Sequence, residues 1–275
     1  MENLVGQTIK HYQLEAVAGS GSHGIVYRAI DTNDGSTVAI KIILPQYVDN
    51  EKLLQRLEIE VDILRKLNHP RIVTLHDYWK DEMGICMVMT WLGGGNLRRL
   101  MEQEGALSLE RVADLLNHIA DALSVAHAAD IVHRDLKPEN IMLDSAGNPY
   151  LTDFSIAKRL NYTSITTSGM VLGSPRYLTP EQILSDPITP RTDVCALGIV
   201  THEMLAGEYA FDDTTTELQL ILKLAQAVLP PLYPEYSEAV DDVIQQATSK
   251  NTEKRYVTVR DFAVAFSQAA GLRAN

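Results

Sequence analysis

The feature that most limits how this chain can fold is a change of periodicity at Gly93-Gly94-Gly95. Before it, residues 12–18, 25–31 and 37–44 are short runs of β-branched and aromatic residues, separated by a glycine-rich stretch and by Asn33-Asp34-Gly35. That pattern predicts consecutive antiparallel strands. Residues 51–67 interrupt the series with helical spacing, Leu54, Leu57, Val61 and Leu64 falling on one face before Asn68-His69-Pro70 ends the run. Two further apolar runs, 72–78 and 85–90, read as strands. Beyond the glycines Leu109, Val112, Leu116, Ile119 and Leu123 recur at helical spacing. Strands and helices kept apart in this way predict the α+β class, with the boundary between two lobes at the glycines.

Charge and cysteine usage narrow the function. Thirty-six acidic against 24 basic residues give a net charge of -12, which removes the usual drive toward nucleic acid or anionic lipid. Cys86 and Cys195 form no CxxC pair and are too few for a disulfide framework, so a reducing cytoplasm is the expected setting. Cys195 lies in an apolar stretch and reads as core, and His118 and His127 are nine apart, which is not a metal-ligand spacing. The first residues lack the basic and apolar regions of a signal peptide. Apolar runs such as 194–200 fall far short of the ~18 residues that span a bilayer. No membrane segment is expected within the chain, and an anchor beyond residue 275 stays open.

Three motifs carry chemistry. Gly19-Ser20-Gly21-Ser22-His23-Gly24-Ile25-Val26 is a GxGxxGxV loop between two predicted strands, where missing Cβ atoms let backbone amides approach phosphate oxygens. A dinucleotide fingerprint would need a helix at once after the loop, and here a strand follows; alone, the loop is equally a hairpin turn. In Val38-Ala39-Ile40-Lys41 a lysine ends an apolar strand, and Glu60 on the following helix is its candidate partner, with Glu58 as a competitor on another face. Last, His133-Arg134-Asp135-Leu136-Lys137-Pro138-Glu139-Asn140 precedes Thr152-Asp153-Phe154. Asp135 and Asn140 are five apart, and Asp153 stands eighteen beyond Asp135. Phosphoryl transfer needs such a set, a carboxylate to orient a hydroxyl and oxygen ligands for a divalent ion that offsets phosphate charge.

In this order and spacing the motifs resemble those of the eukaryotic-type (Hanks-type) Ser/Thr protein kinase domain over about residues 11–268, and compact loops suggest its bacterial branch. The resemblance implies a bilobal fold, a small β-rich N-lobe with one main helix over 11–92, ending in the hinge, and a larger helical C-lobe over 93–268. It implies ATP with Mg²⁺ or Mn²⁺ as cofactors. Gly19, Ser20, Gly21, Ser22 and Gly24 would cover the phosphates, with Val26 and Ala39 lining the nucleotide site. Lys41 would contact the α- and β-phosphates with Glu60 as its partner, Met89 would be the gatekeeper, the Thr90 and Leu92 backbones would meet adenine, and Asn96 would lie near the ribose. Asp135 would be the base, Lys137 the γ-phosphate contact, and Asn140 and Asp153 the metal ligands. Phe154, the pair Glu181 and Arg255, and Asp193 beneath the catalytic loop would be structural.

The resemblance also implies protein substrates with Ser or Thr acceptors, no nucleic acid partner, and a homodimer for trans-autophosphorylation. Arg56, Arg134 and Lys158 would gather on a phosphorylated residue of the polar 163–173 stretch, with Thr166, Thr167 and Ser168 as candidates. One departure stands out: Ser155 replaces the glycine of Asp-Phe-Gly. Serine reaches glycine's backbone angles only at a cost of ~1 kcal/mol or more. That substitution motivates the competing expectation of a nucleotide-binding pseudokinase that acts as an interaction module.

Overall fold

A computed structural model of the chain describes residues 4–20, 24–43, 50–81, 84–154, 175–211, 216–232 and 234–272, apart from the side chains of Lys52 and Arg56. It contains two compact units, Met1–Asn68 with Ile72–Gly94, and His69–Arg71 with Gly95–Asn275. The first unit is strand-rich. Strands β1 (Thr8–Ile9), β2 (Tyr12–Ser20), β3 (Gly24–Asp31), β4 (Thr37–Ile43), β5 (Leu75–Asp81) and β6 (Gly84–Thr90) form one antiparallel sheet in the order β1-β2-β3-β4-β6-β5. Strict alternation in β4 buries Val38, Ile40 and Ile42 with Leu14, Tyr27, Cys86 and Val88, and so turns Ala39 and Lys41 to the opposite face.

Helix α1 (Glu51–Lys66) follows β4. Asn50 caps its start by accepting the Leu53 N–H at 3.1 Å, Glu51 complements the N-terminal end of the dipole, and Arg65 and Lys66 the other end. Its buried stripe is Leu53, Leu57, Val61 and Leu64, with Leu53 taking the place expected for Leu54, which is only partly buried, while Glu58 is exposed. At Gly24 a side chain has no room, since a Cβ there would lie 2.2 Å from the Ile42 carbonyl oxygen.

Two further details differ from what the sequence pattern predicts. The run at 72–78 joins the sheet only from Leu75 and continues to Asp81. Ile72, which makes only a single bridge, and Val73 are buried outside the strands of the sheet, so burial rather than membership of a strand explains their apolarity. As the edge of the sheet, β5 tolerates Lys80 and Asp81. The two-residue β1 carries too little periodicity to be read in advance.

The second unit is helical: α2 (Leu97–Glu104), α3 (Leu109–Ala128), α4 (Pro180–Leu184), α5 (Pro190–Ala206), α6 (Glu217–Gln226), α7 (Glu238–Ala247) and α8 (Val259–Ala269), with a small sheet of β7 (Ile141–Leu143) and β8 (Pro149–Leu151). Helix α5 is buried on every side from Thr192 to Leu205, which makes it the axis of the unit. The apolar stripe of α3, including Val112, Leu116, Ile119 and Leu123, packs against α8 and α5. This segregation of one curled sheet from a helical body is the α+β architecture expected. Among the described residues no helix is long and apolar enough to cross a membrane.

Candidate active site

The loop from His133 to Asn140 is held from below by one carboxylate. Asp193, in the first turn of α5 and fully buried, accepts the backbone N–H of His133 at 2.8 Å and of Arg134 at 3.0 Å, and its Oδ2 lies 2.7 Å from His127 Nε2. A buried carboxylate is tolerable only when so satisfied. Arg134 adopts left-handed backbone angles, φ 64°, which costs of the order of 1 kcal/mol for a residue with a Cβ. Both of its peptide groups are clamped: Asp193 takes the N–H, and Gln182 Nε2 donates to the carbonyl oxygen at 2.7 Å. Gln182 Oε1 meanwhile accepts from the Thr179 N–H at the start of α4.

Beyond this bend Asp135 emerges half-buried. Its Oδ2 lies 3.2 Å from Lys137 Nζ and accepts from Asn140 Nδ2 at 3.1 Å. The same Asn140 nitrogen donates to the Asp135 carbonyl oxygen at 2.8 Å. With its nitrogen committed, the planar Asn140 amide turns Oδ1 the other way, as an acceptor or ligand.

Asp153 is tied to the same loop. Thr152 donates through N and Oγ1 to the Asn140 carbonyl oxygen, each at 3.1 Å, and Oγ1 also lies 3.2 Å from Asp153 Oδ2. His133 Nε2 meets the Thr152 carbonyl oxygen at 2.9 Å, so that nitrogen carries the proton. Phe154, buried, packs at 4.6 Å between ring centroids against His133. Asp153 itself is exposed, at φ 56°. Asn140 and Asp153 offer oxygen donors alone, the set that suits a hard cation such as Mg²⁺ or Mn²⁺ and one that leaves other positions to phosphate and water. Among the described residues no group of three or more His, Cys, Asp or Glu side chains is placed to hold a metal by itself.

In the strand-rich unit, register brings together residues far apart in sequence. Val26 pairs with both Gly19 and Lys41, and Ala39 pairs with Met89, so Gly19, Val26, Ala39, Lys41 and Met89 share one face of the sheet. Lys41 Nζ lies 3.6 Å from Glu60 Oε1, and both are largely shielded from solvent. The Thr90 N–H donates to the Thr74 carbonyl oxygen at 3.0 Å, and Leu92 is buried. Ser20 closes β2.

Other positions have structural employment. Asn96, in the helical unit, caps α2 by accepting the Arg99 N–H at 2.9 Å. Arg255, which sits between α7 and α8 rather than in a helix, donates to Glu181 through Nη1 at 2.7 Å and Nη2 at 2.8 Å, and its Nε donates to the Ser249 carbonyl oxygen at 2.7 Å. Burial alone would raise the Glu181 carboxyl, but Arg255 overcomes it and holds the group below its ordinary range. Burial pushes the thiols of Cys86 to about 12 and of Cys195 to about 11, so both are inert core residues. Gly21, Ser22, Ser155, Lys158, Thr166, Thr167 and Ser168, and the Arg56 side chain, lie outside the described residues.

Sequence reasoning missed Gln182, His127 and the cluster around Arg98. The Thr179-x-x-Gln182 spacing, a capping-box signature, was the available signal for the first. His127 and the Arg98 cluster are brought into place by long-range packing, which no spacing announces.

A family model described as the protein kinase domain matches residues 12–264. The chain is 34% identical over 269 residues to the serine/threonine-protein kinase PknA of Mycobacterium tuberculosis, covering 96% of this chain and 62% of that protein. It is 35% identical to PknD of the same species, covering 96% and 40%, and 36% identical to the serine/threonine-protein kinase PrkC of Bacillus subtilis, covering 94% and 40%. The chain therefore spans less than two thirds of the length of these curated relatives.

Proposed function

The chain belongs to the protein kinase domain family, and on that premise we propose that it transfers the terminal phosphoryl group of ATP to serine and threonine hydroxyls of proteins. The observation that carries the reading is the Asp135 carboxylate, within 3.2 Å of Lys137 and 3.1 Å of Asn140 on a loop fixed by Asp193. In the proposed reaction the hydroxyl oxygen forms a bond to the terminal phosphorus, the bond from phosphorus to the bridging oxygen breaks, and ADP departs. Asp135 orients the hydroxyl and receives its proton. Lys137, beside that carboxylate, places a positive charge where the transferred group develops negative charge. Asn140 and Asp153 would hold Mg²⁺ or Mn²⁺, which supplies charge neutralisation when bound. In the strand-rich unit Lys41, oriented by Glu60, would bind the α- and β-phosphates over the face that carries Gly19, Val26 and Ala39, while the Thr90 and Leu92 backbones would receive the adenine.

Protein substrates, a cytoplasmic location and pairing of two copies for autophosphorylation at Thr166, Thr167 or Ser168 complete the proposal. The test is incubation of the purified chain and its Ser155→Gly variant with γ-labelled ATP, Mg²⁺ or Mn²⁺, and an acceptor protein. Label on the acceptor or the chain in the wild type supports the reading. Label only in Ser155→Gly would favour the pseudokinase alternative, and label in neither would reject transfer.

A further inference from the structure

Asp135 follows the strained bend at Arg134, and the peptide that aims it is held by a side chain for which the proposed reaction has no use. The Arg134 carbonyl oxygen and the Asp135 nitrogen lie in one rigid plane, so whatever fixes that oxygen also fixes the direction in which Asp135 leaves the bend. Gln182 Nε2 fixes it, donating at 2.7 Å across 48 residues of sequence. Asp193 takes the Arg134 N–H at 3.0 Å, which belongs to the preceding peptide. On the far side of Asp135, Asn140 Nδ2 donates to the Asp135 carbonyl oxygen at 2.8 Å. The two peptide groups that flank the candidate base are thus each gripped by a carboxamide.

The neighbours of Gln182 decide which way its amide faces. Oε1 meets the Thr179 backbone N–H at 3.0 Å, a group that can only donate, and Thr179 Oγ1 at 3.2 Å. Nε2 is left for the Arg134 carbonyl, a group that can only accept. Gln182 is 8% exposed, so both bonds are shielded from competing water. Its helix is also pinned, because the adjacent Glu181 is locked to Arg255 by two hydrogen bonds. On consecutive residues α4 therefore carries an anchor into the body of the unit and an arm to the catalytic loop.

Resting on the reading of Asp135 as the base, we infer that Gln182 is a positioning residue: it aims Asp135 through the Arg134 carbonyl, and the Thr179 turn that opens α4 holds its amide in the orientation this needs. One amide serves both bonds, so a disturbance of the turn 175–177 and of Thr179 after it reaches the base without passing through nucleotide or acceptor. Asp135 keeps its own contacts with Lys137 and Asn140 when Gln182 is lost, so the carboxylate is misdirected and not removed.

The experiment compares the wild type with Gln182→Met, which removes both bonds, and Gln182→Glu, which keeps an acceptor for Thr179 but loses the donor to Arg134. Transfer from γ-labelled ATP to an acceptor protein is measured beside nucleotide affinity by calorimetry. Hydrogen exchange over 133–140 is followed by mass spectrometry without nucleotide. Both variants should lose about tenfold to a hundredfold in kcat, while KM for ATP and nucleotide affinity stay close to the wild type. Exchange over 133–136 should quicken while that of α8 is unchanged. In an Asp135→Asn background neither substitution should cost further rate. Where Gln182→Met melts below the assay temperature, Gln182→Glu carries the same comparison. Hydrogen exchange needs no phosphoryl transfer, so a wild type that transfers nothing would reject the kinase reading while the hold on the loop is still judged. A folded variant with the wild-type kcat, losses that multiply with that of Asp135→Asn, or unaltered exchange over 133–136 would overturn the inference.

Discussion

Replacing Arg255 by methionine should be among the most damaging single changes in the helical unit. The side chains of Arg255 and Glu181 are 0% and 3% exposed, and they meet in two parallel hydrogen bonds of 2.7 and 2.8 Å. Arg255 also donates to the carbonyl oxygens of Ser249 and Arg191. Its loss strands a buried carboxylate and two carbonyl groups, for which about 3–5 kcal/mol is the usual cost of breaking a buried pair. In a domain of this size that corresponds to a fall in melting temperature of the order of 10 °C. The effect should reach the catalytic loop before global unfolding, because Glu181 and Gln182 are neighbours in α4 and Gln182 holds the Arg134 carbonyl. Urea unfolding followed by circular dichroism measures the first effect, and transfer activity at a temperature where the variant stays folded measures the second. The double variant Glu181→Leu/Arg255→Met removes both charges and should be more stable than Arg255→Met alone. A single-variant cost below about 1 kcal/mol, or strictly additive losses in the double variant, would show that Arg255 and Glu181 do not form a coupled buried pair.

Three further outcomes follow from the same geometry. Because the folded-state pKa of Glu181 is held below its ordinary value, its stabilising contribution is present above the unfolded pKa of about 4.3 and is lost as pH falls through the folded value; urea midpoints should therefore fall more steeply on acidification for the wild type than for Glu181→Gln. Gly24→Ala should lower stability by about 1–3 kcal/mol, since its Cβ would press on the Ile42 carbonyl, whereas Gly19→Ala, whose Cβ meets nothing within 4 Å among the described residues, should melt close to the wild type. Neutralising Lys41 and Glu60 singly should each slow transfer, and the double variant should be little worse than either, as a kinetic double-mutant cycle will show; multiplicative losses would mean that the 3.6 Å pair does not act as a unit.

The legible part of this molecule is the part governed by local rules. The β-branched run at 37–44 anticipated β4 with Lys41 in it, and helical spacing over 51–67 anticipated α1 and separated Glu60 from Glu58. The order of motifs made the Asp135, Asn140 and Asp153 set readable, because their offsets are short enough to be fixed by one loop and one small sheet. What depends on packing between distant segments was not readable. Arg98 and Glu203 meet across 105 residues, and nothing in either neighbourhood announces the other. Asn96, expected near the ribose, has its side chain in the cap of α2, a second role that its position directly before the apolar residue Leu97 allows. The start of β5 is not legible from apolarity, which marks burial: Ile72 and Val73 are buried without being strand residues.

In the proposed reaction Asp135 orients and deprotonates the acceptor hydroxyl while other groups bind the nucleotide. The most direct measurement is Asp135→Asn, a change that keeps the side chain's size and its place beside Asn140 and Lys137. Single-turnover transfer from γ-labelled ATP and nucleotide affinity by calorimetry should be read on the same preparation. Transfer should fall by at least about a hundredfold, the usual lower range for loss of a positioned base, while affinity and melting temperature stay close to the wild type. Transfer near the wild-type rate in a folded, nucleotide-binding Asp135→Asn protein would contradict that role for Asp135.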